Sequence, residues 1–111
     1  MTAPTLAQVF GSNAAQTATT LTITKADLAS TGLTASGTNS SESLLVAILL
    51  NAQTYLTAAN FTANTDQTVE IDSGYSSLTT RGTPAVSYRN DTLTVTLSKL
   101  DTSSTINPND Y

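Results

Sequence analysis

Residues 44–50 read Leu44-Leu45-Val46-Ala47-Ile48-Leu49-Leu50, seven apolar side chains in succession. They follow Asn39-Ser40-Ser41-Glu42, which has the form of a helix start. Asn39 suits the N-cap, and Glu42 falls three residues on, where the positive end of the helix dipole favours an acid. Neither glycine nor proline interrupts residues 40–57, so one helix over about 40–57 is predicted. The apolar run covers nearly two turns and leaves no polar side, so this helix is expected to be buried on most of its circumference. Each large aliphatic side chain so buried contributes about 1.5–3 kcal/mol. A curled sheet around the helix would supply the cover; otherwise a neighbouring subunit would complete it.

Outward from the helix the pattern is β. On the N-terminal side, Thr19-Thr20-Leu21-Thr22-Ile23-Thr24 alternates strictly, which predicts a half-buried strand. A short helical turn from Thr24-Lys25-Ala26-Asp27 to Leu28 or Ala29 follows it. On the C-terminal side, Gln67-Thr68-Val69-Glu70-Ile71-Asp72 alternates until Ser73-Gly74 breaks the run. Ala85-Val86-Ser87-Tyr88-Arg89 and Thr92-Leu93-Thr94-Val95-Thr96-Leu97 flank Asn90-Asp91, two residues tolerant of a tight turn, and so predict a hairpin at that point. The fold class is therefore mainly β (α+β): a small antiparallel sheet or sandwich with one buried apolar helix and extended terminal arms. Residues 1–16 form the N-terminal arm, 17–100 a single domain and 101–111 a C-terminal tail.

Composition narrows the function. The 111-residue chain is 39% hydrophobic but only 11% charged, against a usual charged share of about 25%. Threonine, about a fifth of the chain, takes the place of charge and suits pleated surfaces. The net charge is −4 and the pI about 4.2. Lys25, Arg81, Arg89 and Lys99 are scattered, so no nucleic-acid partner is expected. The longest apolar run is seven residues, far below the roughly 20 that span a bilayer, and the N-terminus has no secretion-signal pattern. No membrane partner is expected, and the chain reads as a soluble protein made in the cytoplasm, or as a mature chain whose signal has been removed.

Catalytic chemistry has little to work with. Histidine and cysteine are absent, which removes the commonest general base, the thiol nucleophile and the usual zinc ligands. Ser98 and Lys99 adjoin in sequence, but strand neighbours point to opposite faces. The five glycines are dispersed, so no phosphate loop exists. Asp66, Glu70 and Asp72 lack the spacing of a calcium loop and read as solvated strand acids. No enzyme activity, cofactor or metal is expected.

Threonine-rich strands, one greasy helix, polar ends, acidic balance and missing catalytic motifs together resemble the small virion structural proteins of tailed bacteriophages, in particular capsid cement or decoration proteins. The resemblance is of general character along the whole chain and implies no catalytic residues. It implies a homo-oligomer, a homotrimer first, that bridges neighbouring capsomers on the capsid surface, with the major capsid protein or other virion subunits as partners. A tail, neck or fibre component is the alternative within such particles; a cell-surface adhesin-like or glycan-binding β module is the alternative outside them. The apolar anchors of the two polar ends, Leu6, Val9 and Phe10 in one and Ile106 and Tyr111 in the other, are the expected interface residues. Fixing each backbone residue costs about 1–2 kcal/mol, which such sparse anchors cannot offset without a partner.

Overall fold

The computed structural model describes residues 4–101 and 105–111. It is an α+β fold of three α-helices and two antiparallel two-stranded sheets among those residues. Helix α1 (Leu6–Phe10) precedes a small hairpin of β1 (Ala15–Gln16) and β2 (Leu21–Thr22), and a 3-10 turn covers Lys25–Thr31. Helix α2 (Ser41–Gln53) and the short α3 (Ala58–Ala63) lead into a long ribbon of β3 (Val69–Arg81) and β4 (Val86–Leu97).

Residues 4–16 do not form an extended arm. Thr5 and Gln8 close a reciprocal capping box, which starts α1 where an extended chain was expected. Asn51 on α2 then donates its amide to the Val9 carbonyl at 2.9 Å. Asp27 latches the following loop by accepting from the Asn13 backbone and side chain, both at 2.8 Å. Residues 1–3 and 102–104 of the expected arm and tail lie outside the described residues.

Helix α2 begins one residue later than expected and ends earlier. Ser40 is the N-cap, its hydroxyl accepting from the Ser43 amide. Asn39 instead closes the preceding loop, accepting from Ser36 and donating to Thr34. At the other end, the Leu56 carbonyl accepts the Ile71 amide from β3 at 2.8 Å. A helix running on past Thr57 would need that carbonyl for the amide of Asn60, which goes to the Thr57 hydroxyl as the cap of α3.

The core lies along that seam. Ala52, Leu56 and Ile71 are buried together, with Val9, Leu49, Val69 and Leu93 packed around them. Leu28 on the 3-10 turn is buried to 1% exposure beside α2, whose Ala47 is also buried. The expectation of an enclosed α2 is corrected here. Its inner side meets α1, the 3-10 turn and β3, but Leu45 and Val46 remain 56% and 53% exposed and Leu50 is also open. The reason is a shortage of cover: a two-stranded ribbon and three short elements cannot surround a 13-residue helix.

The ribbon corrects two further expectations. The turn falls at residues 82–85, not at Asn90-Asp91, which sit inside β4. Gly82 adopts φ +87, a left-handed value that only glycine takes at no steric cost, and the Thr83–Pro84 bond is cis. Turning here pairs β3 with β4 along almost their whole length and satisfies far more backbone groups than a turn at 90–91 would. Gly74 does not end β3 either. Ser73 faces Leu93 and Ser76 faces Asp91, so Gly74 and Tyr75 together oppose Thr92 in a β-bulge. A Cβ on Gly74 would fall 2.2 Å from the Thr92 hydroxyl, which donates to the Tyr75 carbonyl. The first sheet is also less than expected: β2 is two residues long, and Leu21 and Thr22 are both exposed.

Leu28→Ala should lower unfolding free energy by about 2–5 kcal/mol, the usual cost of an aliphatic core cavity. Leu45→Ala should change it by less than about 0.5 kcal/mol, as at open surface sites. Urea denaturation followed by circular dichroism measures both, and equal losses would contradict the open outer face of α2.

Candidate assembly surface

Beyond the bulge, the ribbon leaves the body. From Asp72 to Arg81 on β3 and from Val86 to Thr92 on β4 every residue is exposed. Thirteen residues at about 3.3 Å each make β3 about 43 Å long, and the molecule's longest dimension is 50 Å. The radius of gyration is 16.5 Å, against about 13 Å for a compact chain of this length.

Side-chain ties stiffen the free part. Ser76 donates to Asp91 at 2.6 Å, and Arg89 donates to the same carboxylate oxygen at 2.9 Å and to the Ser76 hydroxyl at 3.3 Å. Asn90 donates to Thr79 across the strands at 3.1 Å. On the face that carries Asn90 and Thr79, opposite the Ser76–Asp91–Arg89 ties, the Arg81 guanidinium lies 5.4 Å from the centre of the Tyr88 ring. The hydrogen bond from Ser76, then that from Arg89, hold the Asp91 carboxyl below the usual carboxylate range.

Among these polar ties stand large apolar groups that the described residues leave largely uncovered. Tyr75 is 92% exposed at the bulge and Leu78 is 75% exposed, with Val86 and Tyr88 also open. A second bare surface is the outer side of α2. There Leu33, Val46, Ala47 and Leu50 border a groove of about 170 Å³ beside the end of the 3-10 turn.

The residues expected at the interface are distributed differently. Leu6, Val9 and Phe10 are half-buried on α1, and Val9 packs on the core, so this group is engaged within its own domain. Ile106 is 73% exposed and Tyr111 half-buried. Lys99 draws the tail back, donating to the Thr105 carbonyl and pairing with Asp110 at 3.1 Å. Tyr75, Leu78, Leu45 and Val46 were missed as surface groups. Their signal was apolar residues in a segment otherwise threonine and serine on both faces, and an apolar helix longer than its available cover.

Other chemistry is sparse. A cavity of about 420 Å³ is lined by Phe61, Gln67, Lys99 and Asp110 among others, but its two charged side chains are already paired. The buried Gln67 amide donates to the Thr57 and Val69 carbonyls, while its Oε1 is sealed from solvent without a partner in the described structure. Among the described residues no cluster of acids could hold a metal ion, and no helix is long and apolar enough to cross a membrane.

A scan against protein-family models finds no match, and searches of curated proteins and of solved structures return no similar chain.

Two outcomes follow for the ribbon. In an NMR titration the Asp91 carboxyl should have its midpoint below the ordinary 3.8. Because folding depresses this pKa, the stabilisation from the Ser76–Asp91–Arg89 ties is present above the ordinary carboxylate value and is lost as pH falls through the lowered one. Gly74→Ala should raise amide exchange from residue 74 to the turn while leaving Ile71 protected, since the clash lies in the bulge and not in the core.

Proposed function

We propose that the chain is a structural subunit of a virion, of the capsid cement or decoration type, which fastens neighbouring subunits of a particle. The observation that carries this reading is the ribbon. A two-stranded ribbon standing in water is marginal by itself and ordinarily needs a third strand or a packed face. Here its outer half has neither, yet it presents Tyr75, Leu78 and Val86 in the open. Such a ribbon suits an element completed by a neighbouring subunit, through its apolar side chains and its open strand edges.

The surface area supports the same reading. The accessible area is 8025 Å², against about 5,800 Å² for a compact monomer of this mass. The difference exceeds the roughly 1,600 Å² of a standard protein interface. The partners are the major capsid protein or other virion subunits, and the self-associated form is a homotrimer. The projecting ribbon takes the stitching role first assigned to the termini. A tail or neck component would use the same chemistry, so particle anatomy separates the two.

Mass spectrometry of purified virions, with heads and tails fractionated, should find the chain in the head fraction at a fixed ratio to the capsid subunit. Its absence from virions would remove the proposal, and its presence in tails alone would move it to the alternative. With particles lacking the chain, replacing residues 74–92 by a two-residue turn should weaken co-sedimentation at least about tenfold, because a few anchors, tyrosine and arginine prominent among them, carry most interface energy. The core seam lies at the ribbon's root, so the shortened protein should still melt cooperatively.

A further inference from the structure

We infer that the outer ribbon of one copy (its tip, residues 74–91) docks into the groove on α2 of a second copy, with Tyr75 at the bulge as the inserted anchor. This rests on the assembly reading and names the contact by which the copies associate. The molecule carries two bare apolar surfaces on different elements, one convex and one concave. The convex one is the bulge, where Tyr75 is 92% exposed. The concave one is an open groove of about 170 Å³ bordered by Leu33, Val46, Leu50 and the buried Ala47, with Thr31 and Ser43 as polar neighbours. A cavity of about 150 Å³ admits a benzene ring, so the groove matches one aromatic side chain in scale.

Charge points the same way. Residues 74–91 hold Arg81 and Arg89 against Asp91, a net +1, which leaves −5 on the remainder of a chain of net −4. The tip is therefore the cationic part of an acidic molecule, and it is attracted to the acidic body of a second copy. Glu42 lies one turn before Val46, on the same side of α2, where it meets an incoming arginine at the groove's rim.

Tip and groove are different patches, so the contact is head-to-tail and closes into a ring when the rotation permits. That geometry gives a test by complementation. Tyr75→Ser with Leu78→Ser removes the tip and keeps the groove; Val46→Lys with Leu50→Lys removes the groove and keeps the tip. All four positions are exposed, and circular dichroism melts verify folding of each variant. In sedimentation velocity at about 10–100 µM, the unaltered protein should form closed oligomers and each variant alone should be monomeric. Mixed in equal amounts, the two variants should form a heterodimer and nothing larger, because one intact tip and one intact groove remain between them. Oligomers of either variant alone, or no heterodimer on mixing, would overturn the head-to-tail contact. A monomeric unaltered protein would also overturn it, while virion composition would still decide the assembly reading separately.

Discussion

The carbonyl of Leu56 accepts the amide of Ile71 at 2.8 Å, and the side chains of the same two residues share the buried cluster with Ala52. This seam is where the helical part of the molecule meets its ribbon. Helix α2 tightens into three-residue turns, Thr54 donating to Asn51 and Tyr55 to Ala52, and the seam then keeps the helical pattern from running on through Asn60, because the Leu56 carbonyl is already committed. It sets the start of β3, so the alternation of Val69 and Ile71 points inward at the root. Gln53 adds a second tie by donating to Ser73 at 3.0 Å. Val9 and Leu49 close the seam from the other side, which is why α1 has somewhere to dock.

Everything farther from the seam is held more lightly. Leu28 and Ala47 make a second small buried spot, and beyond these the molecule depends on caps, turns and cross-strand ties. The ties between Ser76, Asp91 and Arg89 are exposed, and ion pairs in water contribute little singly. Their effect is to narrow the shapes the ribbon takes. A neighbour that meets a stiffened ribbon has less ordering entropy to overcome than one that meets a loose segment. The bulge contributes in the same sense by turning Tyr75 outward at a fixed point along the strand.

The α+β class, the start of α2 to within a residue and the inward alternation of Val69 and Ile71 were legible because each follows from local pattern. The hairpin turn was not, because Asn90-Asp91 satisfies a local rule that a longer pairing overrides. Gly82 carried the competing signal, and only the total of backbone pairing ranks one glycine above two tolerant residues. Gly74 was misread for a related reason: a glycine inside a strand can mark a bulge as well as a break. The helix α1 was legible in Thr5 and Gln8, but sparse apolar content directed attention to a free arm. That α2 lacks full cover was half legible, in an apolar run too large for one small sheet, but which side stays open was not. An apolar run reports that a surface requires cover and is silent on which chain provides it.

The two-stranded ribbon has a consequence for how the protein must be made. Each outer strand edge is a row of backbone donors and acceptors with no strand beside it among the described residues, and such edges recruit further strands indiscriminately. The usual deterrents are thin here: Lys is absent from both strands, and the interruptions are the bulge at Gly74 and the turn containing Pro84. A copy waiting without its partner is thus a seed for disordered aggregates at high concentration. On the assembly reading proposed above, supply would have to be matched to demand, with synthesis timed to the appearance of the surface that sheathes the ribbon.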